Sequence, residues 1–215
     1  MKEIFKEIVE DTRKDITSVV MLLLPLLAFI ILEVSIIFLE STHHYLLVFD
    51  ILEALFITIC VSLIMALFII NRKIKKVKKY VFIDFLVSFV YIFIVLFILN
   101  LSRLSFINVL FLSLSESLVG VTLLMLTICF ANTKETAVKM MSLASVFALA
   151  NILPLVLPGS MNLSLSFIPS LWIGKYLYSN YFVFILWFIM IEAIWLLLLF
   201  IKFTLSQSNI KNHHN

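Results

Sequence analysis

Six carboxylic acids in this chain stand where water is scarce. Glu33, Asp50, Glu53, Glu116 and Glu192 each interrupt a long apolar run, and Asp84 lies close to the start of another. A carboxylate at the centre of a membrane helix costs roughly 2.5–3.5 kcal/mol on insertion scales, so it marks a place where a proton, a cation or water is handled. No Lys or Arg falls inside the same runs to offset the charge. Three chemistries are open to such groups: protonation with hydrogen bonding between helices, the lining of a water-filled cavity, or the holding of a cationic substrate. Asp50 and Glu53 are three apart and share one helix face. Glu33, Asp50, Glu53, Glu116 and Glu192 are therefore the expected substrate path.

The other reactive residue types do not assemble into a catalytic set. His43–His44 and His213–His214 are tandem pairs without the H-E-x-x-H spacing that turns two imidazoles onto one metal. No metal site is expected. Serines are plentiful, but no Ser, His and Asp arrangement stands out, and no enzymatic role is expected. Gly120, Gly159 and Gly174 are the only glycines, which excludes the phosphate-cradling G-x-x-x-x-G-K-[ST] and G-x-G-x-x-G loops. Cys60 and Cys129 fall inside apolar runs and are expected as free thiols. Asn100 and Asn162 open N-x-S patterns too near the membrane to serve as glycosylation sites.

The elements that must position the acids are membrane helices. The chain is 63% hydrophobic and 13% charged, against about 45–50% and about 25% in soluble domains. About 20 apolar residues cross the hydrocarbon core. Six stretches qualify: 16–39, 45–70, 81–99, 108–130, 137–157 and 181–201. Lipid cannot satisfy an exposed backbone, so each must be helical, and the expected fold class is all-α integral membrane with six transmembrane helices. The first run is too long for a signal-peptide core and lacks a small-residue cleavage site, so it is expected to stay in the protein.

Charge sets the orientation. Lys2, Lys6, Arg13, Lys14, Arg72, Lys73, Lys75, Lys76, Lys78, Lys79, Lys134, Lys139, Lys202 and Lys211 fall on one side of these spans. Only Arg103 and Lys175 fall on the other. Basic residues stay cytoplasmic, so a multi-pass cell-membrane protein with both termini in the cytoplasm is expected. Glu33, Asp50, Glu53 and Glu116 then lie in the outer half, which suits an outward-facing polar cavity. The small net charge of +3 arises from this topology and does not point to nucleic acid.

Three regions follow. Residues 1–15 form an amphipathic interfacial helix, with Ile4, Phe5, Ile8 and Val9 at helical spacing among charged residues. Residues 16–201 form the transmembrane domain, and 202–215 a cytoplasmic tail. The outer stretch 158–180 is too apolar for a water-facing loop and too short to cross twice. It is expected as short interfacial helices, with Trp172, Tyr176, Tyr178 and Tyr181 at headgroup level.

The segment 124–178 carries a resemblance. Ala131, Asn132, Lys134, Glu135, Ala137 and Lys139 form a short polar hairpin, followed by a proline-broken span and a semi-apolar outer segment with a Trp. This resembles the second half of ABC-2 type transporter permeases, the membrane subunits of bacterial ATP-driven exporters, as does the six-span layout with an amphipathic lead-in. The hairpin also reads as a plain capping box, Asn132 with Glu135, opening span five. The resemblance implies an ABC ATPase partner that carries ATP and Mg, no cofactor in this chain, and a homo- or heterodimeric permease partner. It implies coupling residues at the 132–139 hairpin and at the loop between spans two and three.

That loop reads "NRKIKKVKKY" over 71–80 and holds six of the sixteen Lys and Arg. Family members carry acidic residues and a Gly-Thr step there, so this chain is expected beside a second, different permease that keeps the standard loop. Its own coupling set would be Arg72, Lys73, Lys75, Lys76, Lys78 and Lys79 flanking an Ile74–Val77 pair inserted into the ATPase. Anionic lipid is the other partner for so much charge, at about 1 kcal/mol per basic residue. The acidic path suits a cationic or amphipathic peptide as exported cargo. Two other readings fit the layout. One is the substrate-binding subunit of an energy-coupled vitamin importer, although its A-x-x-x-A packing pattern is absent from a first span whose only Ala is Ala28. The other is a stand-alone membrane immunity or regulatory protein.

Overall fold

The computed structural model describes residues 10, 19–20, 23, 27, 43–74, 77–98, 104–156 and 165–212. Most of the expected first span, Glu33, and most of the amphipathic segment lie outside the described residues. From residue 43 onward the described chain is helical: α1 (His43–Asn71), α2 (Lys78–Phe93), a π-turn (Ile94–Ile98), α3 (Phe106–Phe130), α4 (Lys134–Ala148), a 3₁₀ turn (Leu149–Asn151), and α5 (Leu153–Val156). Then come α6 (Pro169–Ser179) and α7 (Val183–Asn212). Among the described residues five helices are long and apolar enough to cross a membrane: Leu47–Asn71, Lys78–Phe97, Phe106–Phe130, Lys134–Leu155 and Val183–Ser206. They correspond to expected spans two to six. The fifth starts at Lys134 rather than 137, and α7 continues through much of the expected tail.

Hydrogen bonds between helices fix their directions. Thr58 and Ser62 of α1 meet the carbonyls of Glu116 and Gly120 of α3, four residues on along both, so these helices run parallel. Thr122 and Cys129 of α3 meet Glu192 and Leu199 of α7, seven on along both, so α7 is parallel to α3 as well. α2 and α4 return between them: Ser62 reaches Asp84, and Glu116 and Thr127 meet Asn151 and Met141. The ends of α1 and α3 and the starts of α2 and α4 therefore share one end of the bundle with Lys202, whose ammonium stands 3.6 Å from the Phe130 ring centroid. Arg72, Lys73, Lys78, Lys79, Lys134, Lys139 and Lys202 gather there, and Lys175 alone among the described basic residues stands at the other end.

The helices are held by apolar packing. α1 and α3 are the interior pair, buried over 78% and 72% of their most apolar stretch, whereas α7 is buried over 17%. Ile51, Leu55, Leu112, Met141, Ile173 and Phe188 form one core, and Met65, Val81, Leu124, Met125 and Leu199 a second nearer the basic end. The outer face of α7 exposes Leu186, Ile189, Met190, Ile194, Leu197 and Leu198. That continuous apolar surface suits lipid rather than water.

α6 occupies the expected outer interfacial stretch, but it is buried rather than laid on a surface. Trp172 and Tyr176 are each 8% exposed. Trp172 stacks on Trp187, while Tyr176 packs edge-on against Phe111 and donates to Asn108 Oδ1. Of the four aromatics expected at headgroup level, only Tyr178 and Tyr181 are exposed. Lys175 lies over the Trp172 ring, and burial holds its ammonium below the usual lysine range.

The capping box opening α4 is Thr133 with Thr136, one residue later than the expected Asn132–Glu135 pair. Thr133 Oγ1 accepts from the Thr136 amide, and Thr136 Oγ1 from the Thr133 amide. Thr133 has the extended backbone an N-cap requires, which releases Glu135 to pair with Lys139 at 2.5 Å on the exposed face.

Candidate functional site

α3 is the spine along which the acids are ordered. Its own hydroxyls are largely self-satisfied: Ser113, Ser117 and Thr127 donate to carbonyls one turn back, those of Val109, Ser113 and Leu123. The buried carboxyls therefore need partners from other helices.

Glu116 is fully buried and accepts a 2.7 Å hydrogen bond from Asn151 Nδ2. Asn151 reaches it because α4 is broken there. Pro154 has no amide to continue the helix and tightens the chain into the 3₁₀ turn 149–151. α6 then seats on that turn. A Cβ on Gly174 would lie 1.8 Å from the Asn151 carbonyl oxygen, so only glycine allows the two backbones to touch. Ser170 Oγ donates to the Phe147 carbonyl at 3.0 Å and helps close the end of α4.

Asp84 is also fully buried. Ser62 Oγ lies 3.1 Å from Asp84 Oδ2 and 3.0 Å from the Gly120 carbonyl. Gly120 has the same logic as Gly174: its Cβ would meet Thr58 Cγ2 at 2.9 Å and Ser62 Oγ at 3.0 Å. Expected near the inner end of a span, Asp84 instead lies well inside, because α2 starts at Lys78 rather than 81. Glu192 is 2% exposed and accepts from the Thr122 hydroxyl. Asp50 and Glu53, 6% and 2% exposed, sit one turn apart toward the start of α1, away from the basic end, and Glu53 is within electrostatic reach of Tyr91 and Cys60.

Projected on α3 through the register of the helices, Asp50 and Glu53 come first, then Glu116, then Asp84 level with Gly120, then Glu192 level with Thr122. At 1.5 Å rise per residue this ladder spans roughly 20 Å. Glu53 Oε1, Asp84 Oδ1, Glu116 Oε2 and Glu192 Oε2 are buried without a hydrogen-bond partner among the described residues. Such an array can hold protons, water or a cation at successive depths. Of the expected path, Asp50, Glu53, Glu116 and Glu192 are thus brought into one bundle, and Glu33 lies outside the described residues. Asp84, Asn151, Ser62 and Thr122 join them. The signals for Asn151 and Gly174 were an amide three residues before a helix-breaking proline and a glycine in a chain that otherwise avoids them.

The expected coupling residues divide. Asn132, Lys134, Glu135 and Lys139 are all exposed at the basic end. Arg72, Lys73, Lys78 and Lys79 are exposed there too, and Lys75 and Lys76 lie outside the described residues. The Ile74–Val77 pair is turned inward: Val77 is 3% exposed, and both join the core of Met65, Phe68 and Val81. Ile74 helps to stop α1, and Val77 opens α2, its carbonyl accepting from the Tyr80 and Val81 amides. The Ile74 amide donates to the Ile69 carbonyl and the Lys73 amide to the Ile70 carbonyl, with Lys73 left-handed at φ 49°. That is the Schellman pattern, in which the residue after the left-handed one packs back on the helix. A partner would meet the basic residues here, not the apolar pair.

A cavity of about 240 Å³ opens on the flank of the bundle between α3, α4 and α7. Its walls include Leu126, Phe130, Leu143, Phe147 and Trp195, and Glu192 and Thr122 lie among them. Among the described residues no group of His, Cys, Asp and Glu is arranged to hold a metal ion, and both cysteines are free thiols. No protein-family model matches the chain, and comparison with curated proteins and with solved structures finds no match.

Proposed function

We propose that this chain is a membrane-spanning permease subunit of an ATP-driven exporter. It forms a translocation path with a second permease and is driven by separate ATPase subunits. The observation that carries this reading is the ladder of Asp50, Glu53, Glu116 and Glu192, 6% exposed or less inside an otherwise apolar helical bundle. Lipid-facing helices have no use for such groups, whereas a path for cationic or amphipathic cargo does. The resemblance of 124–178 to ABC-2 type permeases supplies the energy source, and the exposed basic end supplies a surface for the ATPase. The protein sits in the cell membrane with that end in the cytoplasm.

The test is reconstitution. The full chain, purified from its native membrane under mild detergent, should bring an ATPase with it. In proteoliposomes that complex should show ATP-dependent efflux of a cationic amphipathic peptide. Asp50→Asn with Glu53→Gln should cut the efflux at least tenfold while the amount of folded protein is unchanged. Purification with no ATPase, or efflux untouched by the double change, overturns the reading.

A further inference from the structure

The flank cavity has one acidic group in a greasy wall. Glu192 is 2% exposed, its Oε1 accepts from Thr122, and its Oε2 has no partner among the described residues. Among the described residues no basic side chain pairs with it. On α7 the nearest basic residue, Lys202, lies ten residues on, about 15 Å along the axis, and its ammonium is engaged over the Phe130 ring. Apart from the Thr122 and Ser170 hydroxyls, which donate to Glu192 and to the Phe147 carbonyl, the remainder of the cavity is apolar, and Phe130, Leu143 and Phe147 at its rim are exposed to the flank of the bundle. An apolar slot with a single unmatched acid selects for the complementary molecule: an amine carried on an alkyl chain.

We infer that the cavity between α3, α4 and α7 is a binding site for a single-chain amphipathic amine, entered sideways from the lipid. The ammonium donates to Glu192 Oε2, and the chain lies against Leu126, Phe130, Leu143 and Phe147. The volume, a little below the roughly 300–1,000 Å³ of drug-sized pockets, fits one chain rather than a two-chain lipid. A charged hydrogen bond in this low-dielectric slot is what separates the amine from an alcohol of equal length. The inference deepens the transport reading and rests on it for the purpose of the site, but binding itself is independent of any ATPase.

The experiment uses the full chain in phosphatidylcholine nanodiscs, without partner or ATP, and radiolabelled n-decylamine as probe. Saturable binding at one site per chain is expected, with unlabelled n-decylamine competing at least tenfold better than n-decanol. Glu192→Gln should remove that preference. Ala144→Leu, which narrows the slot and leaves Glu192 in place, should weaken binding at least tenfold. Both variants are to match the parent in thermal unfolding midpoint, and if one does not fold, the other with the amine–alcohol comparison decides. Non-saturable partitioning, equal competition by decanol, or undiminished binding by Glu192→Gln overturns the site. Because no transport is measured, loss of the site leaves the exporter reading standing, and failure of ATP-driven efflux leaves the binding result standing.

Discussion

Glycine occurs three times in this chain, and at both described glycines a neighbouring segment presses against the backbone. Their tolerances should differ. At Gly174 the obstruction is the Asn151 carbonyl, a backbone atom that cannot turn aside, so Gly174→Ala should cost about 3 kcal/mol or more. At Gly120 the obstructions are the side chains of Thr58 and Ser62, and Gly120→Ala should cost about 1 kcal/mol. Denaturation midpoints in detergent rank the two, and equal losses would contradict the packing. Asn151 is the second residue to probe. Its amide is the hydrogen-bond donor to Glu116, so Asn151→Ala should destabilise by about 1–3 kcal/mol. In a Glu116→Ala background the same change should cost less, and full additivity in that cycle would mean the pair does not interact.

At the scale of elements, the basic loop is first a helix stop. Lys73 holds a left-handed backbone that glycine adopts without penalty, so Lys73→Gly should raise the unfolding midpoint by the equivalent of about 1 kcal/mol. Ile74→Asp with Val77→Asp would bury charge in the core with Met65 and Val81 and unfold this end of the bundle. It therefore cannot report on docking. Neutralising the exposed Arg72, Lys73, Lys78 and Lys79 to Gln should instead leave stability near the parent value while releasing a bound ATPase. An ATPase retained after those four changes would shift coupling to the 132–139 hairpin. The loop also shows why part of the candidate site was not legible. An apolar i,i+3 pair among lysines has the same pattern whether it faces a partner or packs back on its own helix, and only the fold around it separates the two.

Over the whole molecule, the parallel run of α1, α3 and α7 brings the described basic residues except Lys175 to one end. If that end is cytoplasmic, a Lys175→Cys variant lacking Cys60 and Cys129 should react with an impermeant thiol reagent on intact cells, and Lys76→Cys should react only after lysis. Labelling at position 76 from outside would reverse the orientation. The three helices that share a direction are also those that carry Asp50, Glu53, Glu116 and Glu192, and the returning helices contribute Asp84 and Asn151. The ladder is thus a property of the bundle and belongs to no single span.

The amino-acid order by itself determined that the described chain is helical, where five of its apolar spans run, which of them carry acids and which segments carry the positive charge. Those follow from the length of a hydrocarbon core and the cost of an unpaired charge within it, and both can be read one segment at a time. The tertiary structure decided which of those acids share one bundle, that Asp84 joins them, that Trp172 and Tyr176 turn inward, and that Ile74 and Val77 pack into the core at the junction of α1 and α2. It decided too that a proline break in α4 brings Asn151 to Glu116 under Gly174. The physical reason is that a hydrophobic pattern this saturated hardly distinguishes one helix face from another. The facing residues are chosen by close packing between helices, where a missing Cβ or a single amide outweighs any periodicity in the sequence.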